Sequence, residues 1–167
     1  MWIIALWGSR NFDPRQPMKV EGMISVAAPR EAVFERLSNA HFFASCVDGV
    51  QDLTAIDPTH YSAKFTTKIA YLRFNFKVTV AMTKVSPPNE IEATVEGAPL
   101  GVVGRLTATA RTELTERGGD TDIRYAIDAV LAGKLGSMGE PVLRAKAKEM
   151  EKQFTERLTA AFAEAAS

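Results

Sequence analysis

Between residues 50 and 131, apolar and polar side chains alternate with a period of two, which is the pattern of half-buried β-strands. The longest run covers 72–83, and its apolar positions are Leu72, Phe74, Phe76, Val78, Val80 and Met82. Shorter runs with the same period occupy 50–56, 61–69, 90–96, 105–114 and 122–131. Turn residues separate the runs at 86–89, 97–101 and 117–120. With a further strand at 18–26, the pattern predicts about seven antiparallel strands.

Two short helices are predicted directly after the first strand. Pro29 suits the first turn of a helix, and Glu31 suits its positive end. The apolar stripe of this helix, at spacings of three and four residues, consists of Val33, Phe34 and Leu37. Ser38 and Asn39 can end it, and Asn39 can cap a second helix at roughly 39–46.

The period changes again near the end of the chain, where a long amphipathic helix is predicted. Ser137, Glu140 and Pro141 are all plausible start signals, and the helix extends to about Ala165. One face carries the apolar stripe Leu143, Ala147, Met150, Phe154, Leu158 and Ala161. The opposite face carries basic residues interleaved with Glu149, Glu151 and Glu156, namely Arg144, Lys146, Lys148, Lys152 and Arg157. This mixture favours a solvated face with helix-spaced ion pairs, and docking to anionic lipid or an acidic partner is the alternative.

The order of elements predicts an α+β helix-grip fold. A curved antiparallel sheet of about seven strands must cover its apolar face, and the long C-terminal helix has the length and the stripe to do so. A chain of 167 residues favours one domain, which we place at 18–167. Residues 1–17 are interpreted as an extension outside this core, and an interfacial anchor through Trp2 and Trp7 is the alternative.

Charge and cysteine content narrow the functional classes. Lys and Arg number 20, as do Asp and Glu, so a net charge of zero argues against a nucleic-acid partner. The single cysteine, Cys46, excludes an internal disulfide and fits a cytoplasmic protein. Its apolar neighbours favour a buried thiol over a reactive one.

The inward-facing positions are candidates for binding an apolar ligand. They are Phe65, Phe74, Phe76, Val78, Ala108, Ala110, Tyr125, Ile127, Met150 and Phe154. Ala108 and Ala110 are small residues in the middle of a long strand, where a filled core would want bulk, and aromatic residues and methionine offer adaptable walls. The pattern by itself still favours a solid core in which large and small residues alternate.

No catalytic or metal-binding residue is predicted. His41 and His60 lack His or Cys companions at ligand spacing, and both are interpreted as solvated or capping residues. The glycine-containing segment 101–104 lacks the strand-to-helix context of a phosphate loop. The inward polar candidates for acid–base work are Thr67, Thr112 and Tyr125, which is a weak set.

Several segments, taken in order, resemble the CoxG family of carbon monoxide dehydrogenase subunits, within the START/polyketide-cyclase-like (SRPBCC) superfamily. They are 26–34, 46–50, 74–78, 101–104, 121–125 and 133–139, and the resemblance covers about nine-tenths of the chain. Asp48 departs from the pattern, because the family usually has proline before the glycine. The resemblance implies a protein that catalyses no reaction and holds an apolar ligand, which shifts the expectation from a solid core to a cavity.

The resemblance also implies partners and a location. It points to an accessory role beside a molybdenum hydroxylase complex of the carbon monoxide dehydrogenase type, either recruiting it to the membrane or bringing it an apolar electron acceptor. No cofactor is obligatory, but a bound quinone such as menaquinone is implied, with the Tyr125 hydroxyl beside a quinone carbonyl. The expected location is cytoplasmic, with peripheral contact at the inner membrane face. The alternatives are a polyketide cyclase/aromatase and a protein-interaction module without a ligand.

Overall fold

The computed structural model describes residues 17–166, with side chains through Ala163. The elements are β1 (Met18–Val26), α1 (Arg30–Leu37), α2 (Ala40–Ser45), β2 (Val50–Asp57), β3 (His60–Ile69), β4 (Leu72–Ser86), β5 (Glu90–Pro99), β6 (Gly104–Arg117), β7 (Asp120–Gly133), a 3₁₀ turn (Gly136–Met138) and α3 (Glu140–Ala166). The extension at 1–17 and the anchor through Trp2 and Trp7 lie almost wholly outside the described residues and stay predictions.

The strands form one antiparallel sheet of seven in the order β1-β7-β6-β5-β4-β3-β2. The first strand therefore pairs with the last, and β1 and β2 are the two edges. The sheet curves around α3, so the predicted α+β helix-grip fold is confirmed, including the two short helices after β1. The Asn39 cap is also confirmed, because its side-chain oxygen accepts a hydrogen bond from the Phe42 backbone N–H at 3.0 Å.

One predicted loop is part of a strand. A glycine/proline loop was expected from Gly97, but β5 continues to Pro99, pairing Gly97 with Val78 and Pro99 with Phe76. Pro99 is tolerated because the pairing of β5 with β6 has already ended at Gly97, so no partner strand on that side needs its missing N–H. Among the three candidate start signals, α3 begins at Glu140.

The core is divided into two packed clusters. The helix-end cluster lies under α1 and α2, and its buried members are Ile24, Val26, Ala28, Val33, Phe34, Leu37, Cys46, Ile91, Leu114, Ile123, Leu158 and Phe162. The loop-end cluster lies at the other end of the sheet, and its buried members are Ile69, Phe74, Phe76 and Leu135. Helix α3 contributes Leu158 and Phe162 to the first cluster, while Val142 packs on the second. The helix is thus fixed near both of its ends.

Candidate ligand-binding hollow

Between the two clusters, the inward face of the sheet is incompletely covered. Two neighbouring rows run across the middle strands, Val80–Val95–Ala108 and Met82–Ala93–Ala110–Ile127. All seven are only partly buried, although they lie at the centre of the sheet, whereas Ala129, which continues the first row on β7, is buried. In a filled core the centre would be the most buried part. We call this space the central hollow.

Small side chains form much of the floor of the central hollow. Ala93 lies opposite Ala110, and Ala108 lies opposite Ala129 on the next strand. The closest backbone approaches of α3 to the sheet are to β1 and β3, at or next to its edges, rather than to the middle strands. The backbone of α3 therefore lies closer to the edges of the sheet than to its middle strands.

The structure divides the ten predicted ligand-binding residues into two groups. Phe65, Phe74, Phe76 and Val78 belong to the loop-end cluster, where Phe76 stacks at 5.9 Å from the rings of both Phe65 and Phe74. These side chains close one end of the hollow. The other six are partly buried: Tyr125 and Phe154 pack against the helix-end cluster and close the other end, and Ala108, Ala110, Ile127 and Met150 lie between the two clusters. A ligand-binding role for the ten stays a prediction.

Tyr125 is held across the flank of the hollow. Its hydroxyl donates a hydrogen bond to the Glu151 carboxylate of α3. Its ring lies over Gly22 of β1, since a Cβ at that position would clash with the Tyr125 hydroxyl oxygen. Burial first, and then the hydrogen bond and charge of Glu151, raise the pKa of Tyr125 above its ordinary value. The hydroxyl is therefore neutral and already donating, so a ligand carbonyl would have to compete with Glu151 for it.

A polar groove accompanies this hydrogen bond. It separates β1 from α3, encloses about 160 Å³ and is lined by Lys19, Val20, Glu21, Arg144, Ala147, Lys148 and Glu151. Arg144 crosses it, donating from Nη1 to the Lys19 backbone carbonyl at 3.1 Å. Because Val20 pairs with Ile127 in the inward row, the groove borders the central hollow.

The Tyr125–Glu151 bond is expected to act as a coupled pair. Tyr125→Phe and Glu151→Ala should each lower the free energy of unfolding by about 1 kcal/mol, because each removes one half-exposed hydrogen bond. The double variant should cost scarcely more than either single one, which urea denaturation of all four proteins would measure. Strictly additive losses would show that the two side chains do not interact in solution.

Several residues of the hollow were missed by reading the sequence. Val80, Ala93 and Val95 have the same inward parity as the predicted residues and could have been included from the alternation alone. Glu151 had no such signal, because it lies beside the apolar stripe of α3 and looks like any solvated glutamate. Only the three-dimensional structure, in which α3 passes beside β1 and β7, shows that Glu151 reaches Tyr125.

The remaining candidate residues are buried or form local hydrogen bonds and ion pairs. Cys46 is 2% exposed and unpaired, so the buried thiol is confirmed, and burial raises its pKa. His60 lies with Nδ1 2.9 Å from Asp57 Oδ1, and hydrogen bonds, first from the Thr59 N–H and then from His60, lower the pKa of Asp57 to about 2. On α3, the expected ion pairs are present at Arg144–Glu140 and Lys146–Glu149, both 2.7 Å. Among the side chains that the structure describes, residues 17–163, no three from His, Cys, Asp or Glu are grouped as metal ligands.

The architecture is a START-like helix-grip fold. A START superfamily protein from Mycobacterium smegmatis superposes with a TM-score of 0.65 at 12% identity, covering 87% of this chain and 97% of that one. A conserved protein from Geobacillus kaustophilus gives 0.81 at 22% identity, covering 88% and 96%. An aromatase/cyclase from Streptomyces sp. R1128 gives 0.68 at 13% identity, covering 90% and 96%. At these identities the likeness establishes the fold alone.

The chain belongs to the CoxG family of carbon monoxide dehydrogenase subunits, whose model matches residues 22–163. This is a family of accessory subunits with a START-like fold, so the predicted family is confirmed. Among curated proteins, none matches the chain. In the part of the chain that the structure describes, no helix is both long enough and apolar enough to cross a bilayer.

Proposed function

We propose that this protein is a non-catalytic carrier that holds an apolar ligand in the central hollow and serves a molybdenum enzyme of the carbon monoxide dehydrogenase type at the inner membrane face. The observation that carries this proposal is the partial burial of the central rows of the sheet, between two clusters that are filled. The membership in the CoxG family supports the choice of partner enzyme.

A quinone with an isoprenoid tail, such as menaquinone, is the proposed ligand. The floor of the hollow is apolar and contains Ala93, Ala108 and Ala110, so it can accept a chain of methyl and methylene groups. Each buried CH₂ contributes about 0.8 kcal/mol, and a tail therefore supplies most of the affinity. The Tyr125 hydroxyl, at the flank, is the donor we assign to a quinone carbonyl, once it exchanges Glu151 for the ligand.

The aromatase/cyclase alternative draws its support from the Tyr125–Glu151 pair, which is an acid–base pair beside the hollow. A cyclase needs such groups to converge on the substrate. Here Tyr125 donates away from the floor toward α3, and Thr67 and Thr112 are neutral hydroxyls on the same face. The carrier function is therefore favoured over catalysis. The interaction-module alternative requires a solid core, whereas the central rows are incompletely covered.

The test is mass spectrometry of an organic extract of the protein purified without detergent, together with native mass spectrometry. We expect a quinone or another isoprenoid lipid at close to one molecule per chain. A protein that carries none and takes up no menaquinone would contradict the carrier function. Turnover of a polyketide substrate that is lost in Tyr125→Phe would instead establish the cyclase.

A further inference from the structure

Four of the eight large apolar side chains that are exposed among the described residues lie together at one end of the molecule. Tyr71, at the tip of the β3–β4 hairpin, is 83% exposed, and in the β5–β6 loop Leu100, Val102 and Val103 are 62%, 43% and 87% exposed. Large apolar side chains grouped in this way mark a surface that contacts a partner or a membrane. We call these two loops and the β7–α3 connection the loop end.

Backbone hydrogen bonds hold the three segments of the loop end together. The Leu100 N–H donates to the Asn75 carbonyl on β4, and the Lys134 N–H donates to the Val103 carbonyl, each at 2.8 Å. Beneath them lies the loop-end cluster, with Phe74 and Leu135 buried. The apolar tips therefore project from a packed base, and they are presented together on one face.

The charge of the loop end has one sign. The segments 66–77, 97–104 and 130–139 contain no Asp or Glu, but they contain Lys68, Arg73, Lys77 and Lys134, all exposed. Among the side chains of residues 17–163, none of these four forms an ion pair with a carboxylate. This contrasts with Lys64, Arg105 and Arg144, each of which is paired.

Two of these cations are directly opposed. Lys68 lies directly opposite Arg73 in the β3–β4 hairpin, and only the residue pair Ile69 and Leu72 separates them from its tip. Like charges facing each other across antiparallel strands repel, which is unfavourable in the isolated protein. An anionic surface next to the tip removes that repulsion. Apolar tips flanked by cations that pair with no described carboxylate are the combination that binds the interface of an anionic bilayer.

We propose that the loop end docks on the surface of a membrane rich in anionic phospholipid, with Tyr71, Leu100 and Val103 entering the interface and Lys68, Arg73 and Lys134 contacting the headgroups. This deepens the membrane role in the proposed function by assigning it a surface. It does not require the hollow to hold a ligand. It also assigns the contact to the loops rather than to the basic face of α3.

Vesicle flotation of the full chain tests the assignment. The protein should float with vesicles of equal phosphatidylglycerol and phosphatidylcholine, and should not float with phosphatidylcholine alone. Lys68→Glu/Arg73→Glu should lower the bound fraction by about tenfold or more at low salt, and Val103→Ser should weaken binding severalfold. The matched controls are Lys148→Glu/Lys152→Glu on α3 and Ile56→Ser, which is 62% exposed near the β2–β3 turn at the opposite end. Both controls should float like the wild type.

The results that would contradict the membrane-docking proposal differ from the one that would contradict the carrier function. No flotation with the mixed vesicles, equal losses in the two double variants, or binding that persists in Lys68→Glu/Arg73→Glu would overturn the loop-end assignment. Ala110→Phe, which blocks the hollow, should float normally. Flotation retained in a protein that carries no quinone and takes up no added menaquinone would reject the carrier function and leave the membrane surface intact.

Discussion

Ala110→Phe is expected to weaken quinone binding by roughly fiftyfold or more while leaving the protein folded and almost equally stable. The new ring would enter the central hollow, where Ala110 and its neighbour Ala93 are only partly buried. Excluding even three methylene groups of a ligand costs about 2.4 kcal/mol, which is roughly a fiftyfold loss of affinity. Titration with a short-chain menaquinone analogue measures the affinity, and urea denaturation measures the free energy of unfolding.

The same substitution in the filled part of the core provides the control. Ala28, 9% exposed, belongs to the helix-end cluster, so Ala28→Phe overpacks it and should lower the free energy of unfolding by about 1–3 kcal/mol. In the hollow, Ala110→Phe should change it by less than about 1 kcal/mol. If both variants were destabilised alike, the centre of the sheet would be solid and the carrier function would lose its structural basis.

Leu158→Ala is expected to be the most destabilising of the substitutions considered. Leu158 is 0% exposed and carries the attachment of α3 to the helix-end cluster. Truncating a fully buried leucine removes its transfer free energy and leaves a cavity, so we expect a loss of about 2–5 kcal/mol in the free energy of unfolding. Equilibrium urea denaturation followed by circular dichroism measures this loss.

Leu100→Ala is the matched control, because Leu100 is 62% exposed in the β5–β6 loop. It should change the free energy of unfolding by no more than about 0.5 kcal/mol. A small effect at Leu158 would mean that α3 is not held by this cluster, and the division of the core into two anchored ends would be wrong.

The fold was predictable from the sequence because each element has a local signal. Alternation at 72–83 and 105–114 marks the strands, Asn39 marks a helix start, and the stripe from Leu143 to Ala161 marks α3. Where the prediction failed, the local signal misled. Gly97 and Pro99 look like a loop, and only their pairing with β4 makes them a strand.

The candidate site was predictable only in part. The two-residue alternation along the strands assigned Ala108, Ala110 and Ile127 to the inward face of the sheet. Alternation does not indicate how far helix α3 lies from that face. Phe74 and Ala110 therefore looked alike from the sequence, although one is packed in a cluster and the other borders a hollow. The Tyr125–Glu151 contact joins residues 26 positions apart on different elements, and no periodic pattern encodes it.

Because α3 is anchored near both of its ends, the residues that maintain the fold differ from those that would contact a ligand. Leu158 and Leu135 are fully buried in the two clusters, so we expect substitutions there to be costly, whereas Ala93, Val95 and Ala110 are only partly buried, so we expect substitutions there to cost less. Substitutions at these partly buried positions can then accumulate without unfolding the chain. Divergent members of such a lineage would exchange one cargo for another over a scaffold whose ends stay nearly constant.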